Sequence, residues 1–112
     1  MGLVLNVDTD EQARNHVLSV LGEVDIATVD ELGEKIESLA GNGYTLVVDL
    51  TATDFMDSSG LRLLVGAYDR LAGAGQRFKV AVSGGPIARL LEVTGLLSHL
   101  EVHDSVEEAI SA

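Results

Sequence analysis

The sequence contains no cysteine and a single proline, Pro86, in 112 residues. The absence of cysteine removes disulfides, cysteine-based metal sites and thiol chemistry together, and it fits a reducing cytosol. Aromatic residues make up only 4% of the chain, so a core has to be assembled mainly from Val, Leu, Ile and Ala. Basic residues are scarce as well: 7 stand against 18 acids, for a formal net charge of −11. A surface of that sign repels phosphate backbones and anionic lipid, so neither nucleic acid nor a membrane is expected as a direct partner, whereas a basic protein is compatible with it. No apolar run approaches the ~20 residues that span a bilayer. The start, Met1-Gly2-Leu3-Val4-Leu5-Asn6-Val7-Asp8, has no basic region and meets acid early, so no signal peptide is expected. Asn6 stands where a myristoylation signal needs Ser or Thr. The expected location is cytoplasmic.

What is present is a hydrophobic content of 46%, enough for one ordinary core. No repeat, linker or low-complexity stretch divides the chain, so residues 1–112 read as a single domain. Leu3, Leu5 and Val7 alternate as in a half-buried strand, residues 9–15 form a polar turn, and Val17 to Leu21 make a second strand ended by Gly22. Tyr44 to Leu50 and Phe78 to Val82 are near-continuous apolar runs, which suit central parallel strands. Leu100-Glu101-Val102 is a short last strand. Helices are expected from Thr28, with Glu31 completing a capping box, and over Leu61 to Leu71. A third is expected from Pro86, with Ile87, Leu90, Leu91 and Thr94 facing inward, and a short last one follows the Ser105/Glu108 capping box with Val106, Ala109 and Ile110. The expectation is an α/β layer structure: a mixed, mostly parallel sheet of about five strands with about four helices, the first two strands pairing antiparallel.

The segment with chemical content is Asp49-Leu50-Thr51-Ala52-Thr53-Asp54-Phe55-Met56-Asp57-Ser58-Ser59-Gly60-Leu61. It leaves a buried strand and enters a helix, and ligands and modification sites of open α/β sheets gather beyond the carboxyl ends of strands. Asp57, Ser58 or Ser59 can each cap that helix, and a phosphate placed there meets free N–H groups and the positive end of the helix dipole. Taken alone, the same residues describe an ordinary helix N-terminus.

Phe55-Met56-Asp57-Ser58-Ser59-Gly60-Leu61 closely resembles the phosphorylation motif of anti-sigma factor antagonists, bacterial proteins of the STAS-domain family. Leu21-Gly22-Glu23-Val24-Asp25 resembles that family's early turn, Leu46 to Leu50 its central strand, and Arg89 to Leu96 its late helix and turn. The resemblance implies a STAS fold and a partner switch without enzymatic activity, catalytic residues, metal or cofactor. The unmodified protein binds an anti-sigma factor, often a serine kinase of the GHKL type, and so frees the sigma factor. The kinase phosphorylates the residue matching Ser58, the complex dissociates, and a PP2C-type phosphatase resets it. The position of Asp25 is associated with binding the kinase near its nucleotide. Partner-binding residues implied by these blocks are Glu23, Asp25, Asp57, Ser59, Gly60, Leu61 and Arg62. Arg62 departs from the family pattern, in which a small residue is common, and this bears on partner identity rather than on the switch.

Three other functions are compatible with parts of the sequence. A Ser58 nucleophile lacks the G-x-S-x-G setting and a His placed by any motif. A receiver domain phosphorylated on Asp49 lacks the paired acids of the first strands and a Lys after the fourth, where Ser83-Gly84-Gly85 stands. A STAS scaffold that binds partners without phosphorylation shares every residue with the leading reading. His16, His99 and His103 have no ligand spacing, and Gly84-Gly85 lacks a nucleotide-binding pattern. Asp54 is expected in a loop, and Ser59 as a backbone cap.

Overall fold

The computed structural model describes residues 2–112; Met1 of the N-terminal reading lies outside the described residues. Six strands and four helices follow one another as β1 (Val4–Asp10), β2 (Asn15–Val24), α1 (Val29–Ser38), β3 (Thr45–Asp49), β4 (Thr53–Met56), α2 (Ser58–Gly73), β5 (Phe78–Ala81), α3 (Gly85–Val93), β6 (Val102–His103) and α4 (Val106–Ser111), with a 3-10 turn at Leu96–Ser98 before β6. The sheet order is β1-β2-β3-β5-β6, with β4 pairing to β2. Among the described residues, only the β1–β2 pair is antiparallel. The mixed, mostly parallel α/β architecture expected from the sequence is the one observed.

The apolar runs explain the centre. Leu46, Val47 and Val48 of β3 have no exposed surface, because helices cover both sheet faces at this point. Leu18, Val20, Leu46, Val48, Phe78 and Val80 share one core with Leu32 and Ile36 of α1 and Leu61, Leu64 and Leu71 of α2. Val47 and Ala81, one residue out of phase, meet Ala109 of α4 on the opposite face, as the two-residue period of a strand requires.

Several boundaries differ from the sequence reading. β1 continues to Asp10 and β2 starts at Asn15, so the turn is shorter than residues 9–15; ladder hydrogen bonds carry the polar residues Asp8, Thr9 and Asp10 regardless of hydropathy. Gly22 bends β2 without ending it. Its φ of +109° and the register shift between Gly22 and Glu23 turn the strand from β3 towards β4, and a Cβ there would stand 3.0 Å from the Gly2 carbonyl oxygen. β4 itself, read as loop and including Asp54, is a strand because it completes the far end of β2. Tyr44 and Leu50 fall outside β3, and the last strand lies at Val102–His103 rather than 100–102.

The Thr28/Glu31 capping box does not form. Thr28 Oγ1 donates instead to the Glu23 carbonyl at 2.8 Å and accepts from Asp25 N, so its hydroxyl ties the turn back to β2. Pro86 is the second residue of α3, after Gly85. Thr94 is exposed; its hydroxyl closes the helix end on the Leu90 carbonyl at 2.7 Å. Ile110 is likewise largely exposed, while the Ser105 cap of α4 accepts from Glu108 N at 3.0 Å as expected.

Lys79 interrupts an apolar strand and is 1% exposed. Its ammonium donates to the Ala109 carbonyl at 2.7 Å and lies 3.5 Å from Glu101. Burial pushes the Glu101 carboxyl up, but the His103 hydrogen bond and the Lys79 charge outweigh it and hold the group below its ordinary value. Lys79 thus fastens the C-terminal turn of α4 to the sheet. Lys79→Met keeps the stem and leaves that carbonyl without its donor, at a cost of about 1 kcal/mol. The urea midpoint should fall, and amide exchange should accelerate in α4 before the sheet; unaltered exchange in α4 would show that its packing alone holds it.

Candidate functional site

The site is built where two distant segments are laid side by side. Beyond the Gly22 bulge, Glu23 of β2 pairs with Phe55 of β4 and Val24 with Met56. The next residue of one segment, Asp57, donates its backbone N–H to the Val24 carbonyl at 3.1 Å. The Glu23–Asp25 turn is therefore the direct neighbour of the Asp57–Ser58 helix start.

Each turn is ordered by its own aspartate. Asp25 Oδ1 accepts from Ala27 N at 2.9 Å and Thr28 N at 3.2 Å, which orders the entry to α1. Asp57, in extended conformation, caps α2: Oδ1 accepts from Ser59 N at 2.9 Å and from the Ser59 hydroxyl. The cap is Asp57, and Ser59 supplies the donors. Ser59 is buried at 8% exposure, while Ser58, the first residue of α2, is exposed and has its hydroxyl free to face solvent.

Gly60 and Leu61 are buried beneath this surface. A Cβ on Gly60 would lie 2.6 Å from Met56 Cγ and 2.9 Å from Val24 Cγ1. The glycine is therefore what lets α2 close onto the β2–β4 pair. Arg62 is exposed, one turn beyond Ser58, and Glu23 is exposed on β2. Two apolar side chains to which the sequence attaches no role stand on the same two segments: Ile26, 77% exposed, and Phe55, 47% exposed. The sequence signal that could have marked them is a large apolar residue directly after an aspartate, Asp25-Ile26 and Asp54-Phe55, beside the two quoted motifs.

The hydrogen bond from the Ser59 hydroxyl, the backbone N–H groups of Ser59 and Gly60 and the Arg62 guanidinium outweigh desolvation and hold the Asp57 carboxyl below its ordinary value. Its folded pKa is lower than its unfolded one, so ionised Asp57 stabilises the fold above the ordinary carboxylate range. That contribution disappears as pH falls through the lowered folded value. Ser59→Ala removes the largest cause, and the Asp57 carboxyl should then titrate closer to its ordinary value in a carbon-detected NMR titration. A curve that does not move would assign the shift to the backbone donors.

Among the described residues, no three His, Asp or Glu side chains lie close enough to hold a metal ion. Among the same residues, no helix is long and apolar enough to cross a membrane. Asp49, the alternative phosphoacceptor, accepts from Thr51 N at 3.0 Å and from the Thr51 hydroxyl at 2.7 Å, which occupies one of its oxygens in a local turn.

A family model described as "STAS domain" matches residues 6–109. The chain is 33% identical over 104 residues to an anti-sigma-B factor antagonist of Staphylococcus aureus, covering 92% of this chain and 96% of that protein. It is 27% identical to the anti-sigma-B factor antagonist of Bacillus subtilis, covering 95% and 97%. Among solved structures, an anti-sigma factor antagonist from Mycobacterium paratuberculosis superposes with a TM-score of 0.89 at 28% identity, covering 98% of this chain and 92% of that one.

Proposed function

The chain belongs to the STAS-domain family, and from that membership we propose that it is an anti-sigma factor antagonist whose binding is switched off by phosphorylation of Ser58. The observation that carries the proposal is the accessibility of Ser58. Of the three capping candidates, it alone is exposed, while Asp57 and Ser59 are bound to one another at its side. A kinase can reach the Ser58 hydroxyl without unwinding α2. The relatives' own role as anti-sigma-B factor antagonists supports the regulatory reading.

The partner in this reading is an anti-sigma factor that is itself a serine kinase of the GHKL type, with a PP2C-type phosphatase restoring the free hydroxyl. Residues 1–112 act as one cytoplasmic binding domain without catalysis or cofactor, and the charge of −11 disfavours direct contact with nucleic acid or membrane. Ile26 and Phe55 supply apolar anchors around Ser58, and Glu23, Asp25, Asp57 and Arg62 a charged rim, the usual anatomy of a protein interface. Ser59, Gly60 and Leu61 contribute from below, by holding that surface in place.

Phosphorylation adds about −1.5 to −2 charges and three acceptor oxygens. Within the protein, the start of α2 accommodates them through its free N–H groups and dipole. A partner docked over Ser58 must instead desolvate them beside Asp57, so the modification acts on binding and spares the fold. Incubation with the cognate kinase and ATP, followed by phosphopeptide mapping, should place one acid-stable phosphate on Ser58. A phosphate on Ser59 or a threonine overturns the assignment, an acid-labile one on Asp49 supports a receiver domain, and none at all supports an unphosphorylated scaffold.

A further inference from the structure

We propose that a groove on the sheet face opposite α2, between β1, β2 and α4, is a second protein-binding surface that seats an arginine side chain of a partner. The strand register builds it. Asp8 and Asp10 of β1 stand opposite Val17 and Asn15 of β2, and Asp49 of β3 stands opposite Ser19. All six share the face on which α4 packs, but α4 covers only the β3–β5–β6 half. Val106 and Ile110 of α4 form the wall of the resulting groove, whose volume is about 300 Å³.

Its chemistry selects the occupant. Three carboxylates and no basic residue line it. Asp10 and Asp49 each commit one oxygen, Oδ1, to a local turn. Asp49 Oδ2 has only a long 3.5 Å contact with the Ser19 hydroxyl. Asn15 adds a second, independent feature. It is only 7% exposed, yet its side-chain amide hydrogen-bonds no described residue and lines the groove. Among the described residues no fully buried side-chain nitrogen or oxygen lacks a partner, so the Asn15 amide opens into the groove and is available to an occupant.

The acids are too dispersed to hold a metal ion, since no group of three such ligands converges among the described residues. A larger organic cation suits the spacing. The apolar floor and wall of Val17, Val106 and Ile110 suit an aliphatic stem, and a planar fork of donors can satisfy a carboxylate and the Asn15 carbonyl oxygen together, which an ammonium does less well. Beyond the groove the same sheet face runs past Asn6 to Val4, which is 54% exposed and pairs with Leu21. That open strip of sheet leaves room for flanking residues and points to a polypeptide rather than a free amine. The chain's net charge of −11 adds long-range attraction for a basic segment. This surface is on the other side of the sheet from Ser58, so it can be engaged in either phosphorylation state.

The test is an NMR titration of the ¹⁵N-labelled full chain with the blocked peptide acetyl-Gly-Leu-Arg-Leu-Gly-amide. Saturable shifts are expected at the Asn15 side-chain amide and at Val17, Ser19, Asp49 and Ile110. Asp8→Lys, at an exposed position that makes no capping bond, should weaken binding about tenfold or more. Glu34→Lys, the same charge change on the exposed far side of α1, should leave it within about twofold. Equal losses in the two variants would reduce the effect to net charge and overturn the site. Equal binding of the citrulline peptide would overturn the arginine. Tighter binding of spermidine or Mg²⁺ at the same residues would replace the partner side chain by a small cation, and the absence of saturable shifts would remove the site altogether.

Discussion

Ser58→Asp should bind the anti-sigma factor about ten- to a hundredfold more weakly than Ser58→Ala, with little difference in melting temperature between the two. Alanine at this position removes a hydroxyl that bonds nothing essential, because the cap of α2 is made by Asp57 and Ser59. The proposed docking surface stays intact and position 58 offers no hydroxyl to phosphorylate, so this variant should hold its partner persistently and leave the sigma factor active. Aspartate adds one negative charge at the first position of α2. The helix dipole tolerates it there, so the fold survives, but a partner seated on Ile26 and Phe55 has to desolvate that charge next to Asp57. Each ~1.4 kcal/mol of that penalty is a factor of ten in affinity. Calorimetric titration of both variants, with melting curves alongside, reads the two quantities separately. Equal affinities would show that local charge is not the switch; equal weakness in both would show that the hydroxyl itself is part of the interface.

Gly60→Ala should lower stability by about 2 kcal/mol and the melting temperature by about 10 °C, whereas Gly66→Ala in the same helix should raise stability by about 0.5–1 kcal/mol. Alanine is the better helix former at both positions, so intrinsic propensity favours both changes. Space decides between them. At Gly66 nothing lies within 4 Å of a new Cβ, and the propensity gain is realised. At Gly60 the new atom meets Met56 Cγ at 2.6 Å and Val24 Cγ1 at 2.9 Å. Met56 can move its end, but Val24 is branched and has no exposed surface, so α2 has to back away from the β2–β4 pair. Because that pair also positions Asp57 and Ser58, Gly60→Ala should weaken partner binding as well as stability. Matched gains at both glycines would mean that the contact relaxes freely.

The sheet and its helices are legible in the sequence because their signals are local and strong. Runs such as Leu46-Val47-Val48 leave no exposed face, and Leu61, Leu64 and Leu71 recur at helical spacing. β4 is illegible because Thr53-Asp54-Phe55-Met56 has no hydrophobic alternation; it becomes a strand only when the bulge at Gly22 swings the end of β2 alongside it. The Thr28/Glu31 box fails for a related reason. Its sequence is suitable, but Thr28 finds better partners in Glu23 and Asp25, which the tertiary turn brings to it.

The α/β class, the order of the main elements, the acidic character and the motif around Ser58 follow from the amino-acid sequence, since all of these depend on composition, on periodicity or on residues adjacent along the chain. Only the tertiary structure decided that Asp57 rather than either serine caps α2, that Ser58 faces outward while Ser59 and Gly60 face inward, and that the Glu23–Asp25 turn lies beside them. The place of that turn and the burial of Gly60 rest on the pairing of Val24 with Met56, residues more than thirty positions apart. No local preference encodes such a contact; it forms because the two strands share ladder hydrogen bonds and a core that closes over Gly60.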